Sequence, residues 1–382
     1  FLKILGNPHV KFPAFHVAGT NGKGSTTAMI ASVLKEAGYA TGAYYSPHIS
    51  DFRERFLMNG RFFPKSKITR TLLMMAEKYE KSGLGPLTFF EWSTALAFCL
   101  FEGEGVGAAV METGLGGRFD ATNAVRPEVS VITNVSLEHT SLLGKTKEAI
   151  AAEKAGIIKA GRPVVCGDGS RTVRDVVSKI AREKGSRALF LGEQFNVTNA
   201  GIFTGSGGER LSLTPSMQGE HQLKNAALAA QAVLCAKKFR VTKKHLEEGV
   251  KKAFLPGRFE VVSKNGGEII LDVAHNPEAV RALAKQLAAR GGKYDFIFGV
   301  LGDKDHRTML KILAPFARRM YCITPDDERA MPAEAVCRAA RGAGITAKTA
   351  DAATVPLRDG TCVTGSFTTV EAVLRRMNRR RG

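Results

Sequence analysis

Phe12-Pro13-Ala14-Phe15-His16-Val17-Ala18-Gly19-Thr20-Asn21-Gly22-Lys23-Gly24-Ser25 passes from an apolar run into a glycine-rich turn that carries one lysine. Phe12 to Ala18 reads as a strand. From Thr26 to Ala37 the apolar residues Met29, Ile30, Val33 and Leu34 recur at helical spacing, and Gly38 ends the pattern. A strand that enters a helix through glycines and a lysine has the form of a phosphate loop. Its backbone N–H groups turn inward around phosphate oxygens, the helix start adds partial positive charge, and Lys23 supplies a point charge. Asn21, Gly22, Lys23, Gly24 and Ser25 are therefore the candidate nucleotide-binding residues. The loop departs from the common pattern: Val17 stands where the first glycine would be, and Gly24 separates Lys23 from the hydroxyl of Ser25.

Outward from the loop, short apolar runs alternate with helical patterns. Strands are expected at Gly107–Glu112, Val129–Thr133 and Pro163–Gly167. Helices are expected at Lys67–Tyr79, Glu91–Phe101, Lys147–Lys159 and Thr172–Lys184. Residues 186–216 are rich in Gly, Ser and Thr and read as a small β-excursion. After Pro256-Gly257-Arg258 a second series begins, with strands at Glu268–Val273, Tyr294–Gly299, Met320–Thr324 and Thr361–Gly365 and helices at Glu278–Ala289, Arg307–Ala317, Ala333–Arg341 and Thr369–Met377. The expected fold is α/β: a P-loop ATPase domain with a mostly parallel sheet over 1–256, then a smaller Rossmann-like α/β domain over 257–382.

The chain has 382 residues, 44% hydrophobic and 24% charged, which is globular composition. Lys and Arg total 55 against 36 Asp and Glu, giving +19, a balance that favours anionic partners without choosing among them. The 6 cysteines form no C-x-x-C pair and read as packed thiols. The longest apolar stretch, Trp92–Phe101, is about half the ~20 residues a membrane-spanning helix needs. No signal peptide is evident, so a cytoplasmic protein is expected. The chain opens at Phe1 without a Met, and an upstream piece is expected. The basic run Arg375–Arg381 lacks interleaved aromatics and reads as a solvated helix end, not a nucleic-acid arm.

Gly19-Thr20-Asn21-Gly22-Lys23 followed by Gly24 and Ser25 resembles the folate branch of the Mur ligase superfamily, the dihydrofolate synthase/folylpolyglutamate synthase family. The resemblance runs from Leu5-Gly6-Asn7-Pro8-His9 to Gly365-Ser366-Phe367. It implies ATP, Mg2+ (two ions), L-glutamate and a pterin or folate acid as ligands, and a monomer that binds neither nucleic acid nor membrane. It implies metal ligation by Ser46 of Ser46-Pro47-His48, by Glu112 and by His139. Glu112 also stands by its position: it ends an apolar strand at the sheet edge where open α/β sheets bind ligands, and magnesium takes oxygen donors. Thr88-Phe89-Phe90-Glu91 resembles a pterin-binding segment and independently reads as a helix start. Phe119, Asp120 and Ala121, within Glu112–Asn123, resemble a second pterin-binding stretch.

By the same resemblance Lys154 is a lysine that becomes carbamylated. Asn225 touches the nucleotide, Arg258 reaches the ATP phosphates, Asp272 binds nucleotide, and His275 binds or orients substrate. The reaction implied is ATP-dependent amide formation through an acyl phosphate, with Lys23, Lys154, Arg258 and His275 as the catalytic set. The Gly302-Asp303-Lys304-Asp305 loop also resembles a family loop, although ordinary turn chemistry explains it. Two rivals remain. A muramyl-type amino-acid ligase of cell-wall synthesis has a hydroxyl directly after the lysine and a further domain ahead of the loop. A P-loop NTPase that binds nucleic acid has no use for Glu112–Asn123 or Asp272–Pro277.

Overall fold

The computed structural model describes residues 1–264 and 267–379; Arg380 and Arg381 of the basic run lie outside the described residues. The chain forms two compact units. The first is Phe1–Pro47, Arg53–Ser216 and Glu220–Phe254; the second is His48–Phe52, Met217–Gly219 and Leu255–Gly382.

The first unit is built on β1 (Ala14–Ala18), β2 (Thr41–Tyr44), β3 (Phe56–Met58), β4 (Arg61–Phe62), β5 (Ala108–Glu112), β6 (Pro127–Ile132), β7 (Val164–Cys166) and β8 (Ala188–Phe190). They form an eight-stranded sheet in the order β4-β3-β2-β5-β1-β6-β7-β8. Pairing is parallel from β2 to β8 and antiparallel at β2–β3 and β3–β4. Every residue of β1 and β5 is buried, which explains why central parallel strands read as apolar runs without alternation. Helices α1 (Lys23–Glu36), α2 (Lys65–Glu80), α3 (Phe89–Gly103), α4 (Thr140–Leu143), α5 (Lys147–Ala155), α6 (Arg171–Glu183), α7 (Glu220–Cys235) and α8 (Lys243–Lys252) complete it. A three-stranded antiparallel sheet, β9 (Asn196–Val197), β10 (Ile202–Thr204) and β11 (Arg210–Ser212), accounts for most of the expected β-excursion. The strand that opens that stretch, β8, joins the large sheet instead.

Register positions the chemistry. Val17 pairs with Glu112 on one side and with Val131 on the other, and Ala18 pairs with Ile132. The phosphate loop, Glu112 and the segment after Ile132 therefore leave the sheet at one edge.

The second unit holds β12 (Glu260–Lys264), β13 (Gly267–Leu271), β14 (Tyr294–Phe298), β15 (Ala317–Cys322), β16 (Ala347–Thr349) and β17 (Thr361–Thr364), in the order β12-β13-β17-β14-β15-β16. Only β12 runs antiparallel to its neighbour among these described strands. Its helices are α9 (Pro277–Arg290), α10 (His306–Leu313), α11 (Ala333–Gly342) and α12 (Phe367–Arg379). Leu283, Leu287, Phe296, Phe298, Met309 and Met320 pack one core there. The helix expected over Arg307–Ala317 stops at Leu313. Pro315 lies in a short 3-10 turn over Ala314–Phe316, and Ala317 already belongs to β15, since proline cannot donate to a continuing helix. The β3–β4 hairpin, β12, β16 and α8 had no expectation in the sequence. Of these, the strands are short or lie at sheet edges and carry too few residues to establish a period.

Candidate functional site

The phosphate loop is clamped to the end of β6. The Thr20 N–H donates to the Asn134 carbonyl at 3.0 Å, and the Asn21 N–H donates to Asn134 Oδ1 at 2.8 Å. Thr133 Oγ1 donates to the Asn21 carbonyl at 2.6 Å. Lys23 Nζ donates to the Thr20 carbonyl at 3.1 Å and so folds back over its own loop. Gly22 caps α1 with φ 82° and no side-chain hydrogen bond to the helix start. A Cβ on Gly22 would stand 2.5 Å from Asn225 Oδ1, so a glycine is needed both for the dihedral and for the approach of α7. Asn225 is held in turn: its Nδ2 donates to Gln222 Oε1 at 3.0 Å, and Gln222 Nε2 donates to Ser25 Oγ at 3.3 Å. The structure thus brings Asn21, Gly22, Lys23, Ser25 and Asn225 together. Thr133, Asn134 and Gln222 complete the cluster. The sequence gives no signal for them, because each is an ordinary polar residue at a strand or helix end.

Lys154 is buried to 3% exposure on α5. Burial, with the Lys23 ammonium adding repulsion, brings its pKa down to about 7; Glu138 acts in the opposite sense. A buried lysine beside the phosphate-loop lysine therefore has a substantial neutral fraction near neutral pH, and a neutral amine is nucleophilic.

Ser46 and Glu112 meet directly: the Ser46 N–H donates to Glu112 Oε2 at 3.2 Å. Ser46 Oγ is buried with no hydrogen-bond partner among the described residues, and Glu112 is 5% exposed. An unused hydroxyl oxygen beside a buried carboxylate is a donor pair that suits magnesium, which takes oxygen ligands and shares them with water and phosphate. His139 has a left-handed φ of 50° at the start of α4, and its Nε2 lies 3.6 Å from Glu138 Oε1. Among the described residues no group of three or more His, Cys, Asp or Glu is assembled as a metal cage.

The 112–123 loop is organised by Asp120. Its Oδ2 accepts the N–H groups of Gly114 and Leu115, each at 2.9 Å, and its Oδ1 accepts the Thr122 N–H at 2.9 Å. Burial raises the pKa of Asp120 against these hydrogen bonds. The Arg118 N–H donates to the Glu153 carbonyl at 2.7 Å, which seats the loop on α5 next to Lys154. Phe119 is left 82% exposed, with the Arg118 guanidinium 5.1 Å from its ring. Phe89 is likewise exposed, under Arg55 at 5.3 Å. Phe90 turns inward, 6.1 Å from the Tyr44 ring, and lies where a Cβ on Gly114 would be. Thr88 and Glu91 form a reciprocal cap: Glu91 N donates to Thr88 Oγ1 at 3.2 Å and Thr88 N to Glu91 Oε2 at 2.7 Å. Ala121 opens a short 3-10 turn.

In the second unit Asp272 accepts the N–H of Phe259 at 2.9 Å and of Ala274 at 2.8 Å. Burial raises its pKa, offset in part by these bonds and by the Arg258 charge. His275 Nδ1 contacts the Val273 carbonyl at 3.0 Å. Phe367 joins the group: the Arg258 guanidinium lies 5.4 Å from its ring centroid and the His275 ring 5.7 Å from it. Phe367 marked only the end of the resemblance; an aromatic at a helix start does not announce that it gathers an arginine and a histidine. Asp305 caps α10 through the Thr308 N–H at 3.1 Å, the ordinary turn chemistry expected of its loop.

Residues 17–233 match the Mur ligase middle domain, and residues 257–363 match the Mur ligase, glutamate ligase domain. The Bacillus subtilis dihydrofolate synthase/folylpolyglutamate synthase is 37% identical over 350 residues, covering 85% of this chain and 80% of that protein. A probable bifunctional folylpolyglutamate synthase/dihydropteroate synthase of Haloferax volcanii is 37% identical over 346 residues; the match covers 84% of this chain and 40% of that longer protein. The solved structure of Escherichia coli FolC in complex with DHPP and ADP has a TM-score of 0.89 at 33% identity, covering 100% of this chain and 92% of that one. A bifunctional folylpolyglutamate synthase/dihydrofolate synthase with Mn, AMPPNP and L-glutamate bound has a TM-score of 0.87 at 30% identity, covering 99% of this chain and 92% of that one. Phosphate loop, sheet order and domain matches together define a Mur-type ligase. Within that class the chain belongs to the dihydrofolate synthase/folylpolyglutamate synthase family.

Proposed function

We infer that the protein is an ATP-dependent ligase that joins the amine of L-glutamate to a carboxylate of a pteroate or folate, and that it accepts both dihydropteroate and reduced folates. One observation carries the chemical part: the phosphate loop opens a helix whose start has no side-chain cap, with Lys23 on it and the buried Lys154 beside it. The acceptor carboxylate attacks the γ-phosphorus of ATP, the bond to the bridging oxygen breaks, and ADP leaves. The resulting acyl phosphate is attacked by the glutamate amine; phosphate departs and the nitrogen loses a proton. Two anions meet in the first step, so cationic groups must offset their repulsion.

We assign the nucleotide to Asn21–Ser25 and Asn225 and the acceptor to Thr88–Glu91 and Phe119–Ala121. Two divalent metal ions would be held among Ser46, Glu112 and His139, and when bound would neutralise phosphate charge. Arg258, Asp272 and His275 would serve ATP and the incoming glutamate from residues 257–382, and residues 1–256 would carry the ATPase. We further propose that Lys154 is carbamylated: the neutral fraction of its amine adds to CO2, one C–N bond forms, and one proton is released. The new anion would help orient metal and acceptor. Small molecules are the proposed partners, a monomer the proposed working form, and the cytoplasm the proposed compartment, in keeping with its 6 unpaired cysteines.

The test is mass spectrometry of products from ATP, Mg2+ and L-glutamate with either dihydropteroate or tetrahydrofolate, with Lys23→Ala as control. Glutamate gained by both acceptors supports the reading. Gain by tetrahydrofolate alone removes bifunctionality. ATP hydrolysis without gain by either acceptor overturns the folate assignment and directs attention to muramyl-type acceptors.

A further inference from the structure

His16 is fully buried in the middle of β1, three residues before Gly19 of the phosphate loop, and no step of the proposed reaction uses it. Its Nε2 lies 2.8 Å from Thr122 Oγ1. Thr122 Oγ1 in turn donates to Asp120 Oδ1. A hydroxyl has one hydrogen, and a carboxylate only accepts, so that hydrogen belongs to Asp120 and His16 must supply its own from Nε2. Nδ1 is then bare, and it is buried with no hydrogen-bond partner among the described residues. A proton there would create a buried cation; burial, with the Lys159 charge adding to it, holds the pKa of His16 down to about 3. The ring is neutral, in one tautomer, over the whole working range.

The chain of donors therefore runs one way, from His16 through Thr122 to one oxygen of Asp120. The other oxygen of Asp120 fixes the N–H groups of Gly114 and Leu115. These residues set the path of the loop that presents Phe119 and begins at Glu112.

We propose that His16 and Thr122 are positioning residues for acceptor recognition: their directed hydrogen bonds orient the Asp120 carboxylate, which holds the 114–119 loop in its acceptor-binding shape. The acceptor part rests on the function proposed above; the loop part does not. A buried chain of hydrogen bonds with a single donor direction favours one arrangement, and one broken link releases the rest.

The experiment compares the full chain with Thr122→Val, which keeps the shape and removes the hydroxyl, and Thr122→Ser, which keeps the hydroxyl. Readouts are the KM values for the pteroate or folate acceptor and for ATP, and amide hydrogen exchange at Gly114 and Leu115. Losing a link in a buried network is expected to raise acceptor KM about tenfold in Thr122→Val and to leave ATP KM within about twofold. The same variant should exchange both amides faster, and Thr122→Ser should stay near the parent on every readout. His16→Leu should repeat the Thr122→Val pattern, while His16→Gln, which retains a donor, should restore part of it; this pair carries the test if Thr122→Val does not fold. Equal rises in both KM values, or unchanged acceptor KM and unchanged exchange, overturn the proposal. If the parent glutamylates neither acceptor, the functional reading fails. The loop relay then stands or falls on the exchange of Gly114 and Leu115 alone.

Discussion

Two strand–loop–helix junctions, Ala18 to Lys23 in the first unit and Leu271 to Pro277 in the second, solve the same geometric problem in opposite ways. At the first, Gly22 precedes α1 with a left-handed φ of 82° and gives the helix no side-chain cap. The helix start keeps its N–H groups for an outside anion. At the second, Asn276 caps α9 by accepting the Ala279 N–H at 2.9 Å, and Pro277 removes one donor altogether. That helix start is closed. The second junction instead brings side chains together, with Asp272, His275 and Arg258 gathered around backbone N–H groups and the Phe367 ring. An open helix start binds phosphate through its backbone; a closed one leaves binding to its neighbours.

The contrast can be broken most forcefully at Lys23. Lys23→Ala should lower kcat by about 10²–10³, the scale expected when a group aimed at developing phosphate charge is lost; steady-state kinetics check this, with folding verified by circular dichroism. Arg258→Ala should cost kcat more than ten-fold, about 1.4 kcal/mol. Arg258→Lys should not restore it, since an ammonium cannot reproduce a planar group over the Phe367 ring; kinetics of the two variants decide whether the second junction works through side chains. Gly22→Ala forces a Cβ toward Asn225 Oδ1 at a positive φ, which should raise ATP KM about tenfold for a strain of 1–3 kcal/mol.

The Lys154 prediction concerns pH. Its folded-state pKa of about 7 lies below the ordinary lysine value of 10.5, so between those values the unfolded chain holds more protons than the folded one. In CO2-free buffer this group therefore makes stability fall as pH drops through that window and levels off below about 7. Denaturant melts of the parent against Lys154→Met should show that slope only in the parent. Added bicarbonate should activate the parent as pH rises through about 7 and add the mass of one CO2 to the peptide containing Lys154. No mass change and no activation would end the carbamylation proposal. The smallest effect is expected at the closed helix: Asn276→Ala should lower unfolding free energy by about 1 kcal/mol, read from thermal melts, and leave ATP KM unchanged.

Legibility in the sequence followed contact distance. The phosphate loop, the Thr88–Glu91 cap and the strand ending at Glu112 are local: dihedral demands, capping and apolar runs act within a few residues, so spacing along the chain is enough. Long-range partners left no such mark. Thr133 and Asn134 reach the phosphate loop because β6 lies beside β1 in register. Gln222 reaches Ser25 through the seating of α7 on α1.

The sequence by itself determined that a strand carries a glycine–lysine loop into a helix, that an α/β series surrounds it, and that Glu112–Asn123 and Asp272–Pro277 follow strands. Those properties depend on nearest neighbours and on the period of apolar residues. Only the tertiary structure decided that Lys154 is buried beside Lys23, that Ser46 meets Glu112, that Phe367 gathers Arg258 and His275, and that His16 donates to Thr122. Burial, desolvation and hydrogen-bond direction are set by which distant segments the sheet brings together, and a lysine or histidine has the same letter whether it ends in water or in the core.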